Sequence, residues 1–115
     1  MPDEKSLKIS CGLGAGMGGK EEVCGAVTGG ILVLGMRHGR GSKDERAATD
    51  LTYLKTREFM DAFAKIHGTF ICRKLLNGCD LMTGEGRKYF KENDFMNKVC
   101  APCVQSAVAI IERMT

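Results

Sequence analysis

Residues 23 to 34 read VCGAVTGGILVL, apolar on nearly every side of a helix. A helix without a polar face is stable in water only when other elements surround it, so this run is expected at the centre of a bundle. Glycine there needs a reason, because each interior Gly costs on the order of 1 kcal/mol of helix propensity against Ala. Gly25 and Gly29, with Ala26 between them, clear one side of the helix. Two readings follow. Either another backbone packs closely on that side, or the small residues leave room beside Cys24 for a second sulfur or a small ligand.

No segment shows the sustained alternation of β-branched and polar residues that marks a strand, whereas helix punctuation is frequent. Pro2 and Asp3 open a short segment that runs to about Cys11 and is broken by GLGAGMGG. A second helix is expected from about Lys20 to His38, closed by Gly39 in a left-handed cap. Ser42 and Glu45 have capping-box spacing and start the longest helix. It carries Ala47, Leu51, Leu54, Phe59, Ala62, Phe63 and Ile66 and ends at Gly68. Thr69 caps a short helix that stops at Asn77 and Gly78, and Thr83 opens another bearing Tyr89 and Phe90. The last helix places Cys103, Ala107, Ile110, Ile111 and Met114 on one face, with Gln105, Glu112 and Arg113 opposite. The sum is a single all-α domain over residues 1–115, a compact bundle of about five helices with short Gly-containing loops.

With 43% apolar residues in 115, the chain is long enough for one domain and too short for two. Seventeen basic against 14 acidic residues give a net charge of +3, scattered along helical segments, which excludes a nucleic-acid footprint. No run approaches about 18 apolar residues, and the first ten residues are too polar for an export signal. Membrane insertion is therefore not expected, and a cytoplasmic location is. In that setting the six cysteines are expected as reduced thiols rather than as disulfide staples.

The placement of those thiols carries the chemistry. Cys24 follows the glycine loop by about a turn, Cys72 lies three residues after Thr69, and Cys103 directly follows Pro102, a residue suited to the first helical turn. Near a helix N-terminus, free amides and the positive dipole end favour the thiolate, so all three are candidate nucleophiles or metal ligands. Arg73 and Lys74 are expected to reinforce Cys72, and Glu21 and Glu22 to oppose Cys24. The run CysAlaProCys at 100–103 has the form of the CxPC motif of thioredoxin-like oxidoreductases, but that fold needs strands and a long chain after the motif. Its local chemistry, a disulfide or a metal site, stands in any fold. GAGMGG at 14–19 formally matches GxGxxG, yet the βαβ unit that would make it a dinucleotide site is missing, so a closely packed turn is expected. His38 and His67 both precede Gly at a predicted helix end, where a cationic side chain meets the last carbonyls, and helix capping is expected of both.

Gly18, Cys24-Gly25-Ala26, Gly29, Leu34-Gly35, Cys72-Arg73-Lys74-Leu75-Leu76, Cys103-Val104 and Ala107-Val108 together resemble the C_GCAxxG_C_C family, described as redox-active proteins of bacteria and archaea. The likeness extends from about Leu7 to Met114. It implies a small helical protein whose cysteines act together, with Cys24, Cys72 and Cys103 as the working thiols. A family cysteine in a helix upstream of the glycine-rich turn has no counterpart here; Cys11 lies nearer the turn. Without that helix an apolar face is left uncovered, and a homodimer is expected. Cys79 and Cys100 are additions to the pattern, Cys100 being placed to resolve a disulfide with Cys103.

Three functions of different classes follow. The first is thiol-based redox chemistry through Cys24, Cys72 and Cys103, with no cofactor required and with a redox partner that the residues do not name. The second is a zinc or iron-sulfur site, with Cys100 or Cys11 as fourth ligand to the same three cysteines. The third is a non-catalytic helical module whose small residues accept a partner helix.

Overall fold

The computed structural model describes residues 4–114. They form α1 (Glu4–Ser10), a 3-10 turn (Cys11–Leu13), α2 (Gly25–His38), α3 (Arg46–His67), α4 (Cys72–Leu75), α5 (Gly84–Glu92), a π-helical turn (Met96–Cys100) and α6 (Ala101–Arg113). The protein is all-α; no strand occurs among the described residues, and their sole β feature is an isolated antiparallel bridge between Val23 and Ile71.

Helices α2, α3 and α6 pack each against the other two. Their shared core is Val27 and Leu34 from α2, Phe59 and Phe63 from α3, and Cys103, Ala107, Ile110 and Ile111 from α6. The i, i+4, i+7, i+8 face expected of the last helix is therefore the buried one. His67 does not cap its helix. Its Nε2 meets Ser106 Oγ at 2.8 Å and its ring lies 4.6 Å from that of Phe63, so it ties α3 to α6. A second, smaller cluster gathers Cys72, Leu76 and Cys79 against Leu81, Phe90 and Phe95. Val99 and Cys100 complete this cluster, and Val99 touches both cores.

Several boundaries differ from the sequence reading. Helix α2 starts at Gly25 rather than Lys20, because residues 15–19 all take left-handed φ angles between 50° and 81° and wind into a tight turn. Gly16 is required in it, since a Cβ there would collide with the backbone of Glu21 and Glu22. That turn is the role of GAGMGG, and no helix begins directly after it. Gly39 is extended rather than left-handed, whereas Gly68 closes α3 with φ of 85° as expected. Helix α3 begins at Arg46 with Glu45 as its cap and no side-chain capping bond, so the expected Ser42–Glu45 box does not form. Thr69 Oγ1 accepts the amide of Ile71 just ahead of α4, and Thr83 Oγ1 accepts that of Gly86 at the start of α5.

The expectation that α2 is enclosed on every side is also corrected: Leu32, Val33 and Met36 are exposed. So are Leu51 and Leu54 in the first half of α3, because at 22 residues that helix outruns the 14-residue α2 beside it. Helix α1 buries none of its residues.

The interior glycines of α2 divide sharply. A Cβ on Gly30 would penetrate the Phe59 ring, whereas one on Gly29 would meet nothing within 4 Å. Gly30→Ala is expected to lose about 1–3 kcal/mol to overpacking, and Gly29→Ala to gain up to about 1 kcal/mol from helix propensity. Urea unfolding of the two variants checks this, and equal effects would refute the assigned roles.

Candidate functional site

Cys24 and Cys72, far apart in the chain, are joined by the short ladder around the Val23–Ile71 bridge. The amide of Cys24 donates to Phe70 O at 2.8 Å, and the amide of Cys72 donates to Glu22 O at 2.6 Å. Each cysteine then opens a helix: Cys24 is the N-cap of α2 and Cys72 the first residue of α4. The β-branched pair Val23 and Ile71 suits the extended backbone between a turn and a helix start.

The remaining thiols come from the last helical rod. Pro102 has no amide to offer the carbonyl four residues back, and its ring crowds that carbonyl, so the preceding turn widens into a π-helix. The amide of Ala101 accordingly donates to Met96 O. Cys103 thus sits within a continuous rod and not at a helix start, which corrects the dipole argument made for it. It projects into the three-helix core, where it is 1% exposed. Cys24 packs against that same core. Cys100, at the end of the π turn, is half-buried in the second cluster.

The structure therefore brings together Cys24, Cys72 and Cys103, and adds Cys100. Two cysteines lie apart. Cys11 is exposed beside the glycine turn, and Cys79 is buried with its thiol donating to Gly86 O at 3.0 Å. All six are free thiols. Among the described residues, no group of three or more His, Cys, Asp or Glu side chains is arranged to hold a metal ion.

The start of α4 does not make Cys72 a thiolate. Burial, then the Glu21 carboxylate, then the neighbouring sulfurs push the Cys72 thiol up to about 12. Burial, then the charges that Cys24 and Cys100 would carry, push Cys103 up to about 12 as well. Burial and Cys24 also raise Cys100. Desolvation outweighs the dipole because a four-residue helix and a mid-rod position offer few free amides, while loss of water acts at full strength.

Glu21, expected to oppose Cys24, is the one acid buried in this region among the described residues. It is 2% exposed and adopts φ of 59°. Its Oε1 accepts the amide of Leu81 at 2.8 Å and meets Arg73 Nη2 at 3.3 Å, while Oε2 has no partner. The backbone carbonyl of Glu21 accepts the amide of Arg73. One residue thus fastens the glycine turn, α4 and the loop before α5. Arg73, expected to assist Cys72, instead spans Glu21 and Asp80. No local pattern marks Glu21, since a glutamate beside Lys and Glu reads as exposed.

Beside the thiols lies a cavity of about 560 Å³, lined by Cys24, Cys72 and Cys100. Gly25, Ala26 and Gly29 form part of its wall. The Cβ expected to be excluded by a neighbouring backbone at Gly25 would meet Leu13 O at an ordinary 3.5 Å. Of the two readings of these small residues, the geometry favours room beside Cys24.

A pH dependence follows from the raised thiols. Unfolded Cys72 and Cys103 ionise near the ordinary value of about 8.5, whereas folded they keep their protons up to about 12. Above about pH 8.5 the folded state holds more protons, so stability falls with rising pH, by about 1.4 kcal/mol per unit for each thiol. The urea midpoint of the reduced protein is expected to be flat to about pH 8 and to decline toward 12, with Cys103→Ser flattening the decline; an unchanged slope in that variant would refute the assignment.

Comparison with known proteins gives a family and no individual relative. No curated protein and no solved structure matches the chain. Residues 1–114 match the family model described as "Putative redox-active protein (C_GCAxxG_C_C)". Of the residues that carried the resemblance, Cys24, Gly25, Ala26, Gly29 and Cys72 line the cavity, and Cys103 lies in the adjoining core. The chain belongs to the C_GCAxxG_C_C family of redox-active proteins.

Proposed function

We propose that this is a thiol-based redox protein in which Cys24 and Cys103 interconvert between dithiol and disulfide. The observation that carries this reading is that Cys24 packs against the core that holds Cys103, while Cys24, Cys72 and Cys100 line one cavity. Cys24 is the half-buried member and lines the cavity, so it is the sulfur an oxidant meets first. With a disulfide as oxidant, the Cys24 sulfur bonds to one sulfur of that disulfide and displaces the other as a thiol. Cys103 then attacks Cys24, forming the internal disulfide and releasing the second thiol. Two electrons and two protons leave the protein in all. Cys72 and Cys100 stand ready to intercept the same intermediate.

Because Cys24 is half-buried in a cavity wall and Cys103 is buried, an oxidant that binds in the cavity is favoured over one that meets the thiols from solution. Equilibration in graded mixtures of reduced and oxidised dithiothreitol, acid quenching and peptide mapping tests the reading. One reversible Cys24–Cys103 disulfide is expected, lost in Cys24→Ser and in Cys103→Ser. Six thiols that stay reduced at every potential would refute it. Metal analysis of protein purified without oxygen runs in parallel: stoichiometric zinc or iron, lost on replacing Cys24, Cys72, Cys100 or Cys103, would put a metal site in place of the redox pair.

A further inference from the structure

The walls of the cavity state what kind of oxidant it accepts. Leu13, Leu76, Phe90 and Met96 face it along with the three thiols, and among the described residues no Lys, Arg, His, Asp or Glu side chain lines it. Ser10, the one hydroxyl in the wall, already donates to Ser6 O at 2.8 Å. A charged oxidant, such as a tripeptide disulfide with its several carboxylates, would lose its hydration there and find no counterion. At about 560 Å³ the space suits a small organic molecule. An aromatic ring and a thioether in the wall suit a flat one.

The chemistry narrows the choice further. With no charged group to take up a proton, an oxidant entering this cavity must accept protons as well as electrons. We propose that the cavity beside Cys24 binds a neutral quinone, which Cys24 and Cys103 reduce to the hydroquinone while becoming a disulfide. The proposal rests on the redox reading above. The Cys24 sulfur adds to a ring carbon, forming an S–C bond, and its proton passes to a quinone oxygen. The Cys103 sulfur then attacks the Cys24 sulfur. An S–S bond forms, the S–C bond breaks with its electron pair returning to the ring, and the second oxygen takes the Cys103 proton. The ring gains two electrons and two protons, which the two thiols lose.

The test mixes anaerobic reduced protein with tetramethylbenzoquinone, whose fully substituted ring resists lasting arylation. Parallel samples receive oxidised glutathione, oxidised dithiothreitol or cumene hydroperoxide. Quinone consumption followed by absorbance is expected at one equivalent per chain, with the Cys24–Cys103 disulfide found by mapping. The rate is expected to exceed that with oxidised glutathione at equal concentration by at least tenfold. Gly29→Met, which extends a side chain into open space at the cavity wall, is expected to lower the quinone rate at least tenfold. Val104→Trp, at an exposed position of the same wall, gives a second obstruction should the first fail to fold. A disulfide formed by dithiothreitol but not by quinone would overturn this proposal alone, whereas failure of every oxidant would overturn the redox reading as well. Faster oxidation by glutathione or by the hydroperoxide, or obstructed variants that keep the wild-type quinone rate, would also overturn it.

Discussion

Two hydrogen bonds around one bridge hold the site together. By pairing Cys24 with Phe70 and Cys72 with Glu22, the ladder at Val23 and Ile71 brings the entries of α2 and α4 side by side. Without it, α4 is a four-residue helix with little capacity to hold a position of its own. Glu21 reinforces the junction from the next residue along, fastening Arg73 and the amide of Leu81. The left-handed turn before it is what aims Glu21 inward. Loop, ladder and buried acid form one device, and the thiols sit on its edge.

The same burial that gathers the thiols sets their chemistry. Sulfur packed among apolar side chains gives up hydration that an anion needs, and Cys72 and Cys103 hold their protons for that reason before any other. Like charges compound the effect, because a thiolate on a neighbouring sulfur would oppose one on Cys72 or Cys103. A protonated cluster beside a cavity without charged walls is suited to reactions that move electrons and protons together.

Much of the scaffold was legible. Helical periodicity in α6 named the buried face, Gly68 named the end of α3, and Thr83 named the start of α5, because each depends on neighbours within a turn or two of the chain. Leu51 and Leu54 show where that reasoning stops. Their spacing is that of a core stripe, but whether anything covers them depends on the length of α2, a property of another segment. The burial of Glu21 and the bond made by His67 were out of reach for the same reason: one follows a turn whose geometry is left-handed, the other reaches across to α6.

The residue pattern by itself determined that this chain is helical and which family it belongs to, since periodicity, caps and motif order are local or linear properties. Only the tertiary structure decided that Cys100 joins the group and Cys11 does not, that Gly29 opens onto a cavity while Gly30 receives a ring, and that burial raises the Cys72 and Cys103 thiols. Those outcomes depend on distances and water exclusion between segments far apart in the chain, and no local pattern carries either.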